Sequence, residues 1–307
     1  MRKAVEKPVY RCYIIPCFVE ISLVTGCLQD MAKINDGAVM TGLDSYDTPA
    51  DAPQSRLFRL MLCSRWYFYA VNFGVFCRSG RLGQLGKLDG AAQIRLSSVN
   101  LRLTESCGSP VHVRGREHLR ALNGRPVVLM GNHMSLLETG LFHAVAREYV
   151  DFAFVVKDSL MRIPYFKDIL SSIGNIPVER KNPREDLKTV LTEGKKLLTS
   201  GKSLIVFPQS TRSPFLEPEK FNSLGVKIAR SAGVPVVPFA LKTDFLTQGK
   251  GAFRDLGPVH PGRHTWFEFG PAMEVTGNGQ EQLEQTIEFI QSRLDSWFKA
   301  ESREPGA

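Results

Sequence analysis

Side chains that could do acid–base chemistry are concentrated in the segment Gly131–Glu138, which reads Gly-Asn-His-Met-Ser-Leu-Leu-Glu. It follows the apolar run Pro126–Met130 and precedes an amphipathic stretch, so it lies between a predicted strand and a predicted helix. In α/β sheets, residues just beyond a strand's carboxyl end line the usual ligand crevice. An imidazole there can take the proton of a hydroxyl group if a second group fixes its tautomer. His133 is therefore a candidate general base, and Glu138 is a candidate for the group that orients it.

The same segment also has a purely structural explanation. Residues five apart do not share a face of an ideal helix, so Glu138 can reach His133 only if His133 precedes the first turn. The pattern Ser135-x-x-Glu138 matches a capping box, in which the glutamate accepts a hydrogen bond from the serine backbone amide. His133 would then be an ordinary histidine at a helix start. From the residues alone, a catalytic pair and a helix cap are equally good explanations.

Two further segments offer groups that bind anions, and a third offers an apolar wall. Phe207–Ser213 reads Phe-Pro-Gln-Ser-Thr-Arg-Ser after a predicted strand, and its hydroxyls, amides and Arg212 could hold a phosphate. Gly174–Arg180 also ends a predicted strand and begins a small basic cluster with Arg180. An ordinary polar turn and a solvated charge run are the respective alternatives. Val234–Ala240 carries no reactive group and is predicted to be a buried wall.

The composition favours a packed domain with anionic partners. The 307 residues are 43% hydrophobic and 23% charged, and the formal net charge is +8. Such an excess attracts nucleic acid, phosphorylated substrates or anionic lipid. Zinc-finger spacing, a sustained basic helix and an RNP-type aromatic motif are all lacking, so we expect no nucleic-acid partner. The six cysteines lie at or before Cys107 without a Cys-x-x-Cys pair, which argues against a zinc site and a disulfide scaffold.

The pattern of apolar residues predicts an α/β domain over residues 110–300. Short β-rich runs alternate with amphipathic stretches, which is typical of a mostly parallel central sheet flanked by helices. The predicted strands are Val111–Arg114, Pro126–Met130, Phe152–Val156, Asn175–Val178, Ser203–Phe207, Pro235–Leu241 and Thr265–Phe269. The predicted helices are Leu136–Tyr149, Arg184–Ser200, Phe221–Ala232 and Gln280–Lys299.

The residues before this domain divide into two parts. Residues 1–56 are predicted to be a poorly defined N-terminal extension. Residues 57–109 are predicted to be a membrane-associating helical segment, because aromatic residues and arginines crowd its first part. Since Arg65 interrupts the apolar run, we expect a helix that lies in or dips into one leaflet rather than one that spans the bilayer. A core helix of the α/β domain is the alternative.

Taken together, the four segments resemble, in order and spacing, those of the PlsC-like glycerolipid acyltransferase family. Its hallmarks are an Asn-His-x-x-x-x-Asp block, a Gly-x-Ile-x-Ile-Asp-Arg block, a Phe-Pro-Glu-Gly-Thr-Arg-Ser block and a Val-Pro-Ile-Val-Pro-Val wall. The resemblance covers about residues 110–275. It implies that His133 is the general base and that Glu138 takes the place of the orienting aspartate. The substrate-binding residues that it implies are Asn132, Arg180, Gln209, Ser210, Thr211 and Arg212, with the two arginines at the acceptor's phosphate.

The resemblance also implies a reaction. We expect a fatty acyl group to pass from acyl-CoA or acyl-carrier protein to the free hydroxyl of lysophosphatidic acid, which gives phosphatidic acid. No metal or cofactor is expected, and membrane lipids at the cytoplasmic face are the expected partners. Four residues depart from the family pattern: Glu138 replaces Asp, Gln209-Ser210 replaces Glu-Gly, and Asn222 replaces a frequent Lys. Another acceptor, such as a different lysolipid or glycerol 3-phosphate, an inactive lipid-binding protein and a lipid hydrolase remain alternatives.

Overall fold

A mixed sheet forms the centre of the protein. The computed structural model describes residues 38–179 and 181–303, so most of the predicted N-terminal extension lies outside the described residues, as does Arg180. Within these ranges the sheet has eight strands in the order β1-β2-β8-β7-β3-β6-β4-β5. The strands are β1 Tyr46–Asp47, β2 Val111–Arg114, β3 Val128–Gly131, β4 Phe152–Lys157, β5 Ile176–Val178, β6 Ser203–Val206, β7 Val236–Lys242 and β8 Thr265–Phe269.

Five strands, β3 to β7, run parallel to one another. Strand β8 is antiparallel to β7 and parallel to β2, so β2 and β8 run in the opposite direction. In the centre, Leu129 of β3 pairs with Ile205 of β6 and Val237 of β7, and all three side chains are at most 1% exposed. Strands that are buried on both faces have continuous apolar sequences, so this part of the sheet can be predicted from the sequence.

Helices cover both faces of the sheet. They are α1 Arg56–Leu60, α2 Arg65–Gln84, α3 Gly90–Ser106, α4 Arg116–Arg120, α5 Leu137–Ala146, α6 Phe166–Ile173, α7 Pro183–Thr199, α8 Leu224–Ala232 and α9 Gln280–Glu301, with short 3₁₀ turns at Asp158–Arg162, Pro218–Lys220 and Gly251–Phe253. Successive strand residues point to opposite faces. Leu129 therefore joins a core with α2, α3 and α5, whereas Val128 and Met130 join a core with α7, α8 and α9.

The helices of residues 57–109 pack on the α/β domain. Tyr67, Phe68 and Val71 of α2 are at most 2% exposed and belong to the first core. Ser97 of α3 donates a hydrogen bond to the backbone of Gly140 in α5 at 2.7 Å, and accepts one from Ala144 at 2.9 Å. Within residues 38–179 and 181–303, no helix combines the length and apolar character needed to cross a membrane.

The structure confirms the predicted α/β class with a mostly parallel sheet flanked by helices. Each predicted strand and helix corresponds to one in the structure, with boundaries that differ by up to three residues. Phe152–Val156, for example, extends to Lys157, and Phe221–Ala232 begins at Leu224. The features that were not predicted include the short strand β1, the helices α4 and α6, and the reversal of direction at β8. The pattern of apolar residues predicts that a segment is a strand, but it does not predict whether the strand is parallel or antiparallel to its neighbour.

Candidate active site

The candidate residues gather at one edge of the sheet. Strands β3, β6 and β7 are parallel neighbours, so their carboxyl ends lie side by side. The segment with His133 follows β3, the segment with Arg212 follows β6, and Thr243 directly follows β7. Ligands of open α/β sheets bind at this kind of edge.

His133 and Glu138 are in direct contact. Nδ1 of His133 lies 2.5 Å from Oε2 of Glu138. The histidine precedes α5, and the chain between it and the helix is not helical, which lets a residue five positions later reach back. Glu138 is fully buried, whereas the His133 side chain is 18% exposed. Among the described residues, Nε2 of His133 has no hydrogen-bond partner, so this nitrogen is available to a substrate.

The other carboxylate oxygen of Glu138 is held by three donors. Oε1 accepts hydrogen bonds from the backbone amides of Met134 at 2.7 Å and Ser135 at 2.6 Å, and from the hydroxyl of Thr243 at 2.7 Å. Three donors favour the ionised carboxylate, which can only accept hydrogen bonds. The proton between Glu138 and His133 therefore belongs to Nδ1, and in the neutral imidazole the lone pair then lies on Nε2. Glu138 thus orients the imidazole and caps the helix start with the same carboxylate.

The ring of His133 is fixed from the side as well. It stacks on Phe207 with 4.2 Å between ring centroids and 20° between planes. The carbonyl of His133 accepts a hydrogen bond from the amide of Ser213 at 2.9 Å. Phe207 and Ser213 are the two ends of the segment after β6. This segment therefore contacts His133 at both of its ends, and Gln209, Ser210 and Arg212 lie between them at the same edge of the sheet.

Asn132, which we predicted to bind substrate, bonds the backbone of β7 instead. Its Nδ2 donates to the carbonyl of Leu241 at 2.8 Å, and its Oδ1 accepts from the amide of Leu241 at 2.9 Å. The side chain is 2% exposed. Asn132 therefore acts like one more residue of the ladder between β3 and β7, and it pins the backbone just before His133.

Gln209 and Ser210, which depart from the family pattern, shape the turn after β6. Ser210 has φ = +60°, a left-handed conformation that glycine adopts most readily, and glycine is the family's residue here. The Gln209 side chain is 5% exposed, and its Nε2 donates to the carbonyl of Phe215 at 3.2 Å. Asn222 closes the turn by donating to the carbonyl of Pro208. Thr211 is exposed beside them.

Arg212 already has an anionic partner in the protein. Its Nη2 lies 2.5 Å from Oδ1 of Asp255, and the side chains of Arg212 and Asp255 are 16% and 66% exposed. The carbonyl of Arg212 also accepts a hydrogen bond from Gln248 at 3.0 Å. The connection between β7 and β8, which carries Gln248 and Asp255, therefore holds both the backbone and the guanidinium of Arg212.

Helix α2 reaches the same place. The hydroxyl of Tyr69 donates to the carbonyl of Gly257 at 3.0 Å. Burial raises the pKa of Tyr69 to about 12, and nearby Arg65 and Arg212 oppose the rise while Asp255 adds to it. Arg65, Arg212 and Asp255 thus all act on one partly buried hydroxyl, which places the start of α2 near the Arg212 segment.

Sequence reasoning missed Thr243, Asp255 and Arg65 as members of this region. Thr243 could have been found, because it comes two residues after the predicted strand Pro235–Leu241. Asp255 could not, since it lies in a connection without apolar periodicity. Arg180 lies outside the described residues, so a shared phosphate site of Arg180 and Arg212 stays a prediction. The described part of the chain contains no cluster of metal-ligating side chains.

The fold and the site define a class: an α/β protein in which a buried carboxylate holds a histidine at the carboxyl ends of parallel strands. A family model described as Acyltransferase matches residues 110–242. The 1-acyl-sn-glycerol-3-phosphate acyltransferase of Pseudomonas aeruginosa is 27% identical over 194 residues, which cover 62% of this chain and 68% of that protein. A protein of that name from Chlamydomonas reinhardtii is 33% identical over 132 residues, 43% of this chain and 38% of its own.

A solved structure has the same fold. The crystal structure of the 1-acyl-sn-glycerophosphate acyltransferase PlsC from Thermotoga maritima matches with a TM-score of 0.52 at 19% identity, and the match covers 90% of this chain and 95% of that one. The chain therefore resembles these acyltransferases: residues 110–242, somewhat under half of the chain, match the Acyltransferase model, and the solved PlsC structure shares the fold.

Proposed function

We propose that the protein transfers a fatty acyl group from a thioester donor to the free hydroxyl of lysophosphatidic acid, which yields phosphatidic acid. The relatives from P. aeruginosa and C. reinhardtii are named for this acceptor. The observation that carries the mechanism is the 2.5 Å contact between His133 Nδ1 and the buried Glu138 carboxylate. In the proposed mechanism, this contact orients the ring and Nε2 is the base.

The proposed reaction is a direct transfer. Nε2 of His133 takes the proton of the acceptor hydroxyl while the hydroxyl oxygen attacks the thioester carbonyl. The tetrahedral intermediate collapses, the C–S bond breaks, and the thiolate leaves with the proton from His133. Glu138 stabilises the imidazolium that forms in between. The nearby Ser135 is not a nucleophile, because it is 1% exposed and its hydroxyl donates to Thr243 at 3.0 Å.

Arg212 is the proposed contact for the acceptor's phosphate. A guanidinium binds phosphate through two parallel hydrogen bonds, and a monoester offers more charge to it than a phosphodiester does. Since Asp255 occupies Nη2, the phosphate must use the remaining donors of Arg212 or displace the carboxylate. Arg180 is proposed as a second contact, together with Ser210 and Thr211 of the exposed turn.

The acceptor is proposed to come from a membrane at the cytoplasmic face. Leu60, Leu62 and Trp66, at the α1–α2 junction, are 79%, 91% and 46% exposed. Between residues 56 and 106 there are eight Lys or Arg and two Asp or Glu residues. Exposed apolar side chains among basic residues favour an anionic lipid surface. We call Leu60, Leu62 and Trp66 the apolar knuckle; Tyr69, one turn after Trp66, links it to the Arg212 region.

The donor is proposed to be acyl-CoA or acyl-carrier protein, with no metal or cofactor. The experiment that tests the function measures thiol release from each donor, with and without acceptor. The acceptor panel contains lysophosphatidic acid, lysophosphatidylcholine, a lyso-aminolipid and glycerol 3-phosphate. We expect release that depends on acceptor and is fastest with lysophosphatidic acid. Release without acceptor would identify a hydrolase, no release with any donor would identify an inactive lipid-binding protein, and faster release with another acceptor would reassign the substrate.

A further inference from the structure

A chain of buried hydroxyl groups leads to the carboxylate of Glu138. The hydroxyl of Thr243 lies 2.7 Å from Oε1 of Glu138, and the hydroxyl of Ser135 lies 3.0 Å from that of Thr243. The backbone amide of Leu137 donates to the hydroxyl of Ser135 at 3.1 Å. Thr243 and Glu138 are fully buried and Ser135 is 1% exposed, so bulk solvent does not compete for these hydrogen bonds.

The contacts fix the direction of every hydrogen bond in this chain. The ionised carboxylate only accepts, so the single proton of the Thr243 hydroxyl points to Oε1. The oxygen of Thr243 must then accept from Ser135, whose own oxygen accepts from the amide of Leu137. Hydrogen bonds that run in one direction polarise one another and strengthen the last one.

We propose that Thr243 is a positioning residue of the acyltransferase site, which acts through Glu138 and is itself held by Ser135. The inference rests on the proposed function of His133 as the base. Three donors on Oε1 hold the carboxylate in one orientation, and this orientation keeps Oε2 at Nδ1 of His133. The family match ends at residue 242, one position before Thr243.

The third donor to Oε1, Thr243, differs from the other two because it comes from a neighbouring strand. The amides of Met134 and Ser135 belong to the same segment as His133 and Glu138, so they move with it. Thr243 follows β7 and ties the carboxylate to the neighbouring strand, as Asn132 ties the backbone of that segment to Leu241. The two links together fix the histidine relative to the edge of the sheet where the substrate binds.

A matched set of variants separates positioning from packing. Thr243→Val keeps the shape and removes the hydroxyl, whereas Thr243→Ser keeps the hydroxyl and removes a methyl group. Thr104→Val is the control, because Thr104 is also fully buried and its hydroxyl donates only to the carbonyl of Asn100 in α3, at 2.9 Å. We expect Thr243→Val to lower kcat roughly 10- to 100-fold, since small displacements of a catalytic group have effects of this size.

The kinetic test also compares the effects of Thr243→Val on kcat and KM, and asks whether Thr243→Ser restores activity. KM for the acyl donor should stay within about twofold in Thr243→Val, because binding groups are unchanged and the loss is confined to kcat. Thr243→Ser should recover most of kcat, and Thr104→Val should retain wild-type kcat even if its Tm falls. A kcat of Thr243→Val close to wild type, or a loss that Thr243→Ser shares, would overturn the proposal.

A spectroscopic measurement tests the proposal without turnover. The Nδ1 proton of His133 in ¹⁵N-histidine-labelled protein is assigned by its disappearance in His133→Ala. We expect its resonance to move upfield or broaden in Thr243→Val and to stay in place in Thr243→Ser. An unchanged resonance in Thr243→Val would refute the positioning role. Because this signal is read in the free protein, the proposal can fail while acyl transfer stands, or hold while the acceptor assignment fails.

If Thr243→Val does not fold, Ser135→Ala removes the donor to Thr243 from the other side. It should lower kcat in the same direction and by less, because the bond from Thr243 to Glu138 remains. A wild-type kcat together with a wild-type Nδ1 resonance in Ser135→Ala would contradict the chain of hydrogen bonds.

Discussion

The carboxylate of Glu138 serves two groups at once. Oε2 faces His133, and Oε1 accepts hydrogen bonds from the start of α5 and from Thr243. A longer side chain than the family's aspartate can reach both, because the histidine lies outside the helix. The contact between His133 and Glu138 and the capping hydrogen bond from Ser135, which are alternatives from the sequence, are therefore both present in the structure.

Glu138→Gln should separate the two roles. The glutamine oxygen can still accept from the backbone amides, so the cap persists and the stability loss stays at about 1 kcal/mol. The amide nitrogen, however, donates to Nδ1 of His133, which moves the imidazole proton to Nε2 and removes the base. We expect a loss of about 10²–10⁴-fold in kcat/KM, the usual contribution of a general base.

The control is Glu117→Gln, which changes another glutamate in the first turn of a helix, α4, whose side chain is exposed. Its activity and thermal melting should match the wild type. Near-normal turnover of Glu138→Gln would show that Glu138 serves only as a cap.

Asp255→Asn tests whether the carboxylate of Asp255 competes with the acceptor's phosphate for Arg212. The change removes a negative charge 2.5 Å from Nη2 and keeps the size of the side chain. An exposed ion pair contributes about 0–1 kcal/mol, so KM for lysophosphatidic acid should fall by about two- to fivefold at constant kcat. Steady-state kinetics at low ionic strength make the measurement.

Asp158→Asn removes a comparable ion pair, with Arg162, from another part of the molecule and should leave KM unchanged. A higher KM in Asp255→Asn would mean that Asp255 orients Arg212 rather than competing with the phosphate.

At the scale of elements, buried charge attaches α9 to the sheet. Lys242 at the end of β7 is fully buried, and its Nζ lies 2.7 Å from Asp244 and 2.6 Å from Glu301 of α9. The helix also packs Leu294 and Trp297 into the second core. Because Lys242 immediately precedes Thr243, the same ion pairs fix the end of β7 next to the site.

Lys242→Met should therefore destabilise the protein. It leaves two largely buried carboxylates without their shared cation, and breaking a buried pair costs about 3–5 kcal/mol. The loss should lie at about 3 kcal/mol, since Asp244 also contacts Arg263 and Glu301 also accepts from the amide of His264. Urea unfolding measures it, with the exposed Lys299→Met on the same helix as control. Equal unfolding midpoints for the two variants would contradict this account of α9.

The elements show which features a sequence can reveal. Strands β3, β6 and β7 are near-continuous apolar runs because both faces are covered, so each can be recognised as a strand from the sequence. The order in which they lie side by side comes from the structure. The contact between His133 and Glu138 depends on a non-helical bend that spacing alone does not settle. The hydrogen bonds of Asn132 to Leu241 join residues 109 positions apart, so the sequence does not reveal them. This is why the sequence analysis places Asn132 among the substrate-binding residues. The ion pair of Arg212 with Asp255 likewise depends on the path of a connection without periodicity.

At the scale of the whole molecule, α2 connects the apolar knuckle to the candidate active site. Tyr69 links α2 to the connection that holds Arg212, and Phe68 contacts Phe245 with 5.6 Å between ring centroids. Phe245 follows Thr243 by two residues. A lysolipid that leaves a membrane at the knuckle would have a short path to His133, which fits an acceptor that is itself a membrane lipid.

Replacing the apolar knuckle should weaken membrane binding without unfolding the protein. In the triple variant Leu60→Ser, Leu62→Ser, Trp66→Ser, only Trp66, which is 46% exposed, gives up much buried surface. Sedimentation with anionic vesicles should fall about tenfold or more, since burying each large apolar side chain contributes about 1.5–3 kcal/mol. The control is Leu187→Ser, an exposed leucine on α7.

Deleting residues 1–80 is not an equivalent test, because it also removes the buried Tyr67, Phe68 and Val71 from the core. Unchanged sedimentation of the triple variant would place the membrane contact elsewhere.

The most direct test of the central claim is single-turnover acyl transfer by His133→Ala. Radiolabelled lysophosphatidic acid and a saturating acyl donor are mixed with wild type and variant, and labelled phosphatidic acid is quantified. The account predicts transfer by the wild type, a rate about 10²–10⁴-fold lower in the variant, and equal thermal melting of the two proteins. A His133→Ala rate within about threefold of wild type would contradict the assignment of His133 as the general base.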